Sequence, residues 1–138
     1  MEAKDISFDY IKVGDNFSFN RTWEDKDIVD FSILSGDKNP LHLDEKYAET
    51  TSFKRRIVHG MLVSSLFSTF VGMYLPGKRC LYLKQSISFK KPVFIGDTVT
   101  AYGVVLSKSE STKILTLSTI IKKEEEIVIE GEAQVQVI

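Results

Sequence analysis

Apolar residues recur with two different periods along this chain, and the change falls near Pro76-Gly77. Phe17 to Phe19 first suggests a short strand. Ile28, Phe31 and Leu34 then return at helical spacing. They predict a helix with Thr22 as its N-cap, Glu24 and Asp25 near its first turn, and Gly36 as its stop. Glu45 to Glu49 predicts a second, short helix. Val63, Leu66, Phe67, Phe70, Val71 and Tyr74 follow the i, i+3, i+4, i+7 pattern, while Met61, Leu62 and Met73 add apolar surface on other sides. A helix coated so widely is expected inside a domain. Its Ser64, Ser65, Ser68 and Gly72 allow a neighbouring backbone to come close, and Pro76-Gly77 ends it.

Beyond that point the period is two. Leu81, Leu83, Gln85, Ile87 and Phe89 alternate with Tyr82, Lys84, Ser86 and Ser88, predicting one strand. Gly96-Asp97 marks a turn before Thr98 to Leu106, and Thr112 to Lys122 is another β-rich run. In the last strand Ile127, Ile129, Ala133, Val135 and Val137 share one face, opposite a mostly polar one. Consecutive strands joined by turns favour an antiparallel sheet, and a single apolar helix can fill its concave face. The expected class is α+β.

Composition narrows the function classes. The 138 residues suit one domain, 1–138, with no linker, repeat or low-complexity tract. A formal net charge of -1 offers no global basic field, which argues against a nucleic-acid partner. No apolar run reaches about 18 residues, so no membrane span is expected. The start Met1-Glu2-Ala3-Lys4-Asp5 lacks a signal-peptide pattern. Cys80, the single cysteine, excludes an internal disulfide and a cysteine-rich zinc site; it reads as a small strand residue. A reducing, cytoplasmic setting is the expectation.

Candidate chemistry concentrates in two runs. Asp37-Lys38-Asn39-Pro40-Leu41-His42 places a carboxylate and an imidazole five positions apart. Pro40 pushes Asn39 out of the helical region, so a bent, non-helical link is expected, able to turn both side chains toward one point. The second run, Arg56-Ile57-Val58-His59-Gly60-Met61-Leu62, opens the apolar helix and holds the only other histidine. A carboxylate and an imidazole facing a helix N-terminus can move protons and stabilise an oxyanion. The plainer alternative is that Asp37 caps a turn and His42 packs beneath the loop.

These runs resemble the MaoC-like, R-specific enoyl-CoA hydratases. The matching residues are Ser35-Gly36-Asp37-Lys38-Asn39-Pro40-Leu41-His42-Leu43-Asp44 and Ile57-Val58-His59-Gly60-Met61-Leu62, with Phe89-Lys90-Lys91-Pro92-Val93 and Gly96-Asp97-Thr98-Val99. The likeness covers nearly the whole chain. It implies a hot-dog fold, in which a curved antiparallel sheet wraps around a long central helix. It implies Asp37 and His42 as the catalytic pair for reversible addition of water to a trans-2-enoyl thioester. It also matches Ser68 to a serine lining the acyl site, against the alternative of a serine bonded to its own helix.

Gly60 is the candidate oxyanion donor, because amides in the first turn lack internal partners; a glycine needed only for a tight helix start is the alternative. His59 is expected to orient the loop or satisfy buried backbone groups. Lys54, Arg55, Arg56, Lys90 and Lys91 are candidates for the phosphates of coenzyme A or a carrier arm, or else a solvated cluster. Phe67, Phe70 and Tyr74 are expected in the core or an acyl-pocket wall. No metal or redox cofactor is expected, since the coenzyme A thioester is substrate. A 3-hydroxyacyl carrier-protein dehydratase would use the same residues in reverse. A thioesterase of this fold commonly has an acidic residue on the central helix, and none lies between Gly60 and Tyr74. A noncatalytic acyl-thioester-binding module would need the pocket but not the pair. The resemblance further implies a homodimer, which would pair otherwise open sheet edges.

Overall fold

The computed structural model describes residues 1–138. A 3₁₀ turn at Phe8–Tyr10 precedes strand β1, Asn16–Thr22. Three helices follow: α1, Asp25–Ser35; α2, Pro40–Leu43; and α3, Glu45–Glu49. The apolar helix comprises α4, Gly60–Ser64, α5, Leu66–Thr69, and a π-helical turn, Phe70–Tyr74. Strands β2, Cys80–Gln85, β3, Ser88–Phe89, β4, Thr98–Ser109, β5, Ile114–Lys123, and β6, Glu126–Val137, complete the chain. All pairings are antiparallel, in the order β1-β4-β5-β6-β2, with β3 also on β6.

Helix α1 begins later than its sequence suggests. Thr22 is held in β1 opposite Thr98, and the two hydroxyls lie 2.6 Å apart, so Thr22 cannot cap. Glu24 is the N-cap, and its N–H donates to the Asp27 carboxylate at 2.9 Å. Gly36 ends the helix at φ 82°, as glycine readily does. Ile28 and Ser32 turn inward, while Leu34 is 86% exposed rather than part of the buried face.

The apolar helix buries five of the six expected residues, while Tyr74 is half-buried against Phe17. Val63, Leu66 and Phe67 enter one core cluster with Trp23, Val99, Ile121 and Ile129; Phe70 and Val71 enter a second with Phe8, Leu115, Leu117 and Val135. It is not uniformly α-helical. The Ser65 N–H is shared between the Met61 and Leu62 carbonyls, and the Ser65 hydroxyl donates to Leu62 at 2.6 Å. Such serine-to-backbone bonds compete with the helical ladder. Leu75 N–H reaches back five residues to Phe70, the π spacing.

Two strand expectations change. Residues 81–89 form two strands: β2 shifts register within itself, between Tyr82 and Lys84, and before β3 the chain crosses β6 closely at Gly131. A Cβ there would lie 1.8 Å from the Ser86 carbonyl oxygen. In β6 the buried set is Val128, Ile129, Ala133, Val135 and Val137, with Ile127 only half-buried. The pairing jumps from Ile129 to Ile127, so Val128 is an inserted residue and turns inward.

Gly103 lets the helix lie tight on the sheet: a Cβ there would be 2.2 Å from the Phe70 ring. Gly103→Ala is therefore expected to lower stability by about 1–3 kcal/mol through overpacking. Urea unfolding checks this. Phe70→Leu in the same chain should restore part of the loss, and an unchanged midpoint in the single variant would refute the contact's importance.

Candidate active site

The loop after α1 is ordered by its own side chains. Ser35 Oγ accepts from Asp37 N–H, Asp37 Oδ1 from Asn39 N–H, and Asn39 Oδ1 from Leu41 N–H, all near 3 Å. Asn39, at φ -56° and ψ 130°, stays outside the helical region, as expected before proline. The link is nevertheless not wholly non-helical. Pro40 takes the first position of α2, where its fixed φ fits and its missing N–H costs nothing. That single turn carries His42 to the interior.

The His42 ring has one defined tautomer. Nδ1 lies 2.9 Å from the Ile57 carbonyl oxygen, which can only accept, so Nδ1 bears the hydrogen. Nε2 then presents a lone pair, 3.9 Å from Asp37 Oδ2. Two acceptors at that spacing do not bond each other. A water molecule between them can donate one hydrogen to each.

His59 lies behind this pair and is 2% exposed. Its ring stacks on His42 at 3.8 Å between centroids and meets Phe31 edge-on at 4.9 Å. Nε2 donates to the Asp37 carbonyl at 3.1 Å, with Ser32 Oγ at 3.3 Å. Nδ1 is buried without a partner. Burial holds the His59 pKa below its ordinary value. The Asp37 carbonyl partly opposes that shift, and nearby His42 reinforces it. Neutral His59 thus ties the loop by its backbone. Donor atoms of Asp37, His42 and His59 lie within 4.8 Å of one another, as a metal trio could. The carbonyl bond and the ring stack account for His59 without that role.

A cavity of about 450 Å³ opens over the pair. Asp37, His42, His59, Gly60, Lys90 and Lys91 line it; Phe53, Met61 and Phe89 stand among its apolar residues, with Val63, Val93 and Ile129 from the core. Gly60 is the first residue of α4, where the N–H has no partner within the helix. Its missing side chain leaves room for Phe89: a Cβ would sit 2.6 Å from that exposed ring, which would have to move.

The remaining candidates separate. Ser68 is exposed and does not line the cavity, because the helix turns 63, 66, 67, 70 and 71 inward. Arg56 is engaged within the fold: Nε donates to the His42 carbonyl at 2.6 Å, and a terminal nitrogen pairs with Asp25 at 2.7 Å. The Arg55 guanidinium lies over the Phe94 ring at 3.9 Å, and Lys54 is exposed at φ 65°. Lys90 and Lys91 make long, exposed pairs with Glu130 and Glu126, worth about 1 kcal/mol or less and readily exchanged. Cys80 is half-buried on β2, and burial pushes its thiol up, away from thiolate. Sequence reading missed Phe53, Met61 and Phe89 at the cavity and the Ile57 carbonyl. Phe89 had a signal, an aromatic beside Lys90-Lys91-Pro92; a backbone carbonyl has none.

The family model of the MaoC-like domain matches residues 11–126. This chain belongs to the MaoC-like family. The (R)-specific enoyl-CoA hydratase of Rhodospirillum rubrum is 44% identical over 140 residues, covering 99% of this chain and 97% of that protein. That of Aeromonas caviae is 47% identical over 114 residues, covering 83% and 85%. The solved structure of the (R)-hydratase from A. caviae involved in PHA biosynthesis superposes with a TM-score of 0.91, at 45% identity, covering 94% of this chain and 98% of that one. The antiparallel sheet with its packed helix is the hot-dog fold of these MaoC-like structures. No helix is long and apolar enough to cross a membrane.

The His59 shift has a consequence for stability. The unfolded chain protonates this residue near pH 6.5, while the folded chain resists. Stability should therefore fall as pH drops through about 6.5 and continue falling until the lower folded value is passed. Urea midpoints between pH of about 7.5 and 5 test this against His59→Gln. The variant should show a shallower fall; the same slope in both would exclude His59 as a source.

Proposed function

We infer that this protein is an R-specific enoyl-CoA hydratase, adding water reversibly to a trans-2-enoyl-CoA to give the (R)-3-hydroxyacyl-CoA. One observation carries this reading: the His42 lone pair and the Asp37 carboxylate stand 3.9 Å apart, beside Gly60, in an apolar-walled cavity. Water held between the pair attacks the β-carbon and gives its proton to the pair. The α-carbon takes a proton from the same groups, so the sum is one water added. Charge that develops on the thioester oxygen is met by the Gly60 N–H, reinforced by the helix dipole; such a donor is typically worth about 3–4 kcal/mol. The chemistry needs neither metal nor redox cofactor.

The basic groups Lys54, Arg55, Lys90 and Lys91 suit the phosphates of coenzyme A or of a carrier arm. A carrier-protein dehydratase would run the same steps in reverse. Hydrolysis is disfavoured by the lack of any carboxylate between Gly60 and Tyr74. A homodimer fits the open edges: β1 and β2 end the main strand order, and β2 exposes Leu81 and Leu83. The exposed stripe Met61, Ser65 and Ser68 gives a second copy a surface for close approach.

Turnover of short and longer enoyl-CoA substrates with chiral analysis of the product tests the reaction. The expected product is the R isomer, formed without added metal and unaffected by chelator. Free thiol as the main product would replace this reading with hydrolysis. Asp37→Asn and His42→Ala should each lower turnover by about a hundredfold or more, with the fold retained by circular dichroism. Near-parental turnover in either folded variant would remove that residue from the mechanism. Light scattering should give twice the 15.7 kDa chain mass; a fully active monomer would show that no partner is required.

A further inference from the structure

Helix α2 is too short to hold itself. Four residues make a single turn, and an isolated turn of helix is unstable. Its Pro40 carbonyl accepts from Asp44 N–H. The next two carbonyls receive partners from outside the helix. Leu41 accepts from Ile57 N–H at 3.4 Å, and His42 accepts from Arg56 Nε at 2.6 Å. The His42 ring donates back to the Ile57 carbonyl at 2.9 Å. Three bonds thus clip residues 41–42 to residues 56–57, and the shortest comes from Arg56.

The far side of the same guanidinium is anchored. A terminal nitrogen lies 2.7 Å from Asp25 Oδ1, in the first turn of α1. A carboxylate is favoured there by the helix dipole. The Arg56 side chain is 15% exposed and Asp25 63%. A planar fork bonded on two sides is stiff in a way an ammonium is not. We propose that Arg56 is a positioning residue: braced by Asp25, it holds the His42 backbone so that Nε2 stays at its working distance from Asp37. The adjacent Arg55 lies over Phe94 and has no part in this clamp.

The inference rests on the hydratase reading for its kinetic test and on the tautomer alone for its spectroscopic one. Arg56→Met keeps the stem and removes the donors; Arg56→Lys keeps the charge on a single donor nitrogen in place of the fork. Both are assayed with crotonyl-CoA and with the crotonyl thioester of N-acetylcysteamine, which carries no phosphate. Arg56→Met should lower kcat by about 10- to 100-fold, the scale of a small misplacement, with KM changed less than about threefold. The loss should be the same on both substrates, and Arg56→Lys should recover part of it. Nitrogen-15 spectra of the imidazoles should show His42 protonated at Nδ1 in the parent and a tautomer mixture in Arg56→Met. A defect confined to crotonyl-CoA and seen as raised KM would overturn the proposal in favour of a phosphate contact. So would a folded Arg56→Met with parental kcat and tautomer. Should that variant not fold, Asp25→Asn carries the test. It should lower kcat about two- to fivefold on both substrates, and parental kcat would overturn the proposal. A parent that turns over neither substrate would sink the hydratase reading, while the imidazole spectra would still decide the clamp.

Discussion

The site depends on one hydrogen bond, from His42 Nδ1 to the Ile57 carbonyl. It selects the tautomer, and the tautomer leaves the Nε2 lone pair toward Asp37. The acceptor must therefore stay put, and the backbone around it is tied to the sheet. Val58 N–H donates to Val93 at 2.7 Å, and Ile57 bridges Phe94. Phe94 N–H donates in turn to the Asp97 carboxylate, which also meets Lys123 of β5 at 2.7 Å. Trp23 N–H reaches the Asp97 carbonyl, so the start of α1 joins the same turn. One imidazole is thus referred, bond by bond, to the sheet that carries the core.

His59 gives the same pair its second support. An imidazole 2% exposed with an unpaired nitrogen is a costly group to bury. It occupies that place with its other nitrogen on the Asp37 carbonyl and its face on His42. Two stacked imidazolium rings would repel. Burial disfavours the charged form of His59, so the stacked pair avoids that repulsion.

Legibility in the sequence followed the range of the interaction that decides each feature. Gly36, helix α3 and the five buried residues of the apolar helix are set by local periodicity and were readable. The pairing of Asp37 with His42 was readable because Asn39 and Pro40 constrain the intervening backbone locally. Thr22 misled because its partner, Thr98, lies far along the chain and draws it into β1. Val128 and the break between β2 and β3 depend on registers against β5 and β6, which an alternating pattern does not reveal. Arg55 and Arg56 look equivalent in sequence. Phe94 and the His42 carbonyl, each reached only through folding, make them different.

The cavity and the core are not separate objects. Val63, Val93 and Ile129 belong to the buried cluster and also line the cavity, so its wall is an outer layer of the packing. The helix that supplies Val63 begins at Gly60 and continues past Phe70, whose ring is pressed against Gly103 of β4, to Tyr74. Its seat on the sheet and the position of its first amide therefore belong to one packed run of residues. Interiors packed to crystal-like density transmit such shifts with little loss. Hydrogen-bond geometry at a developing oxyanion tolerates only a few tenths of an ångström. Tight packing at Gly103 thus bears on the cavity as well as on stability, because it fixes the helix whose first residue lines that cavity.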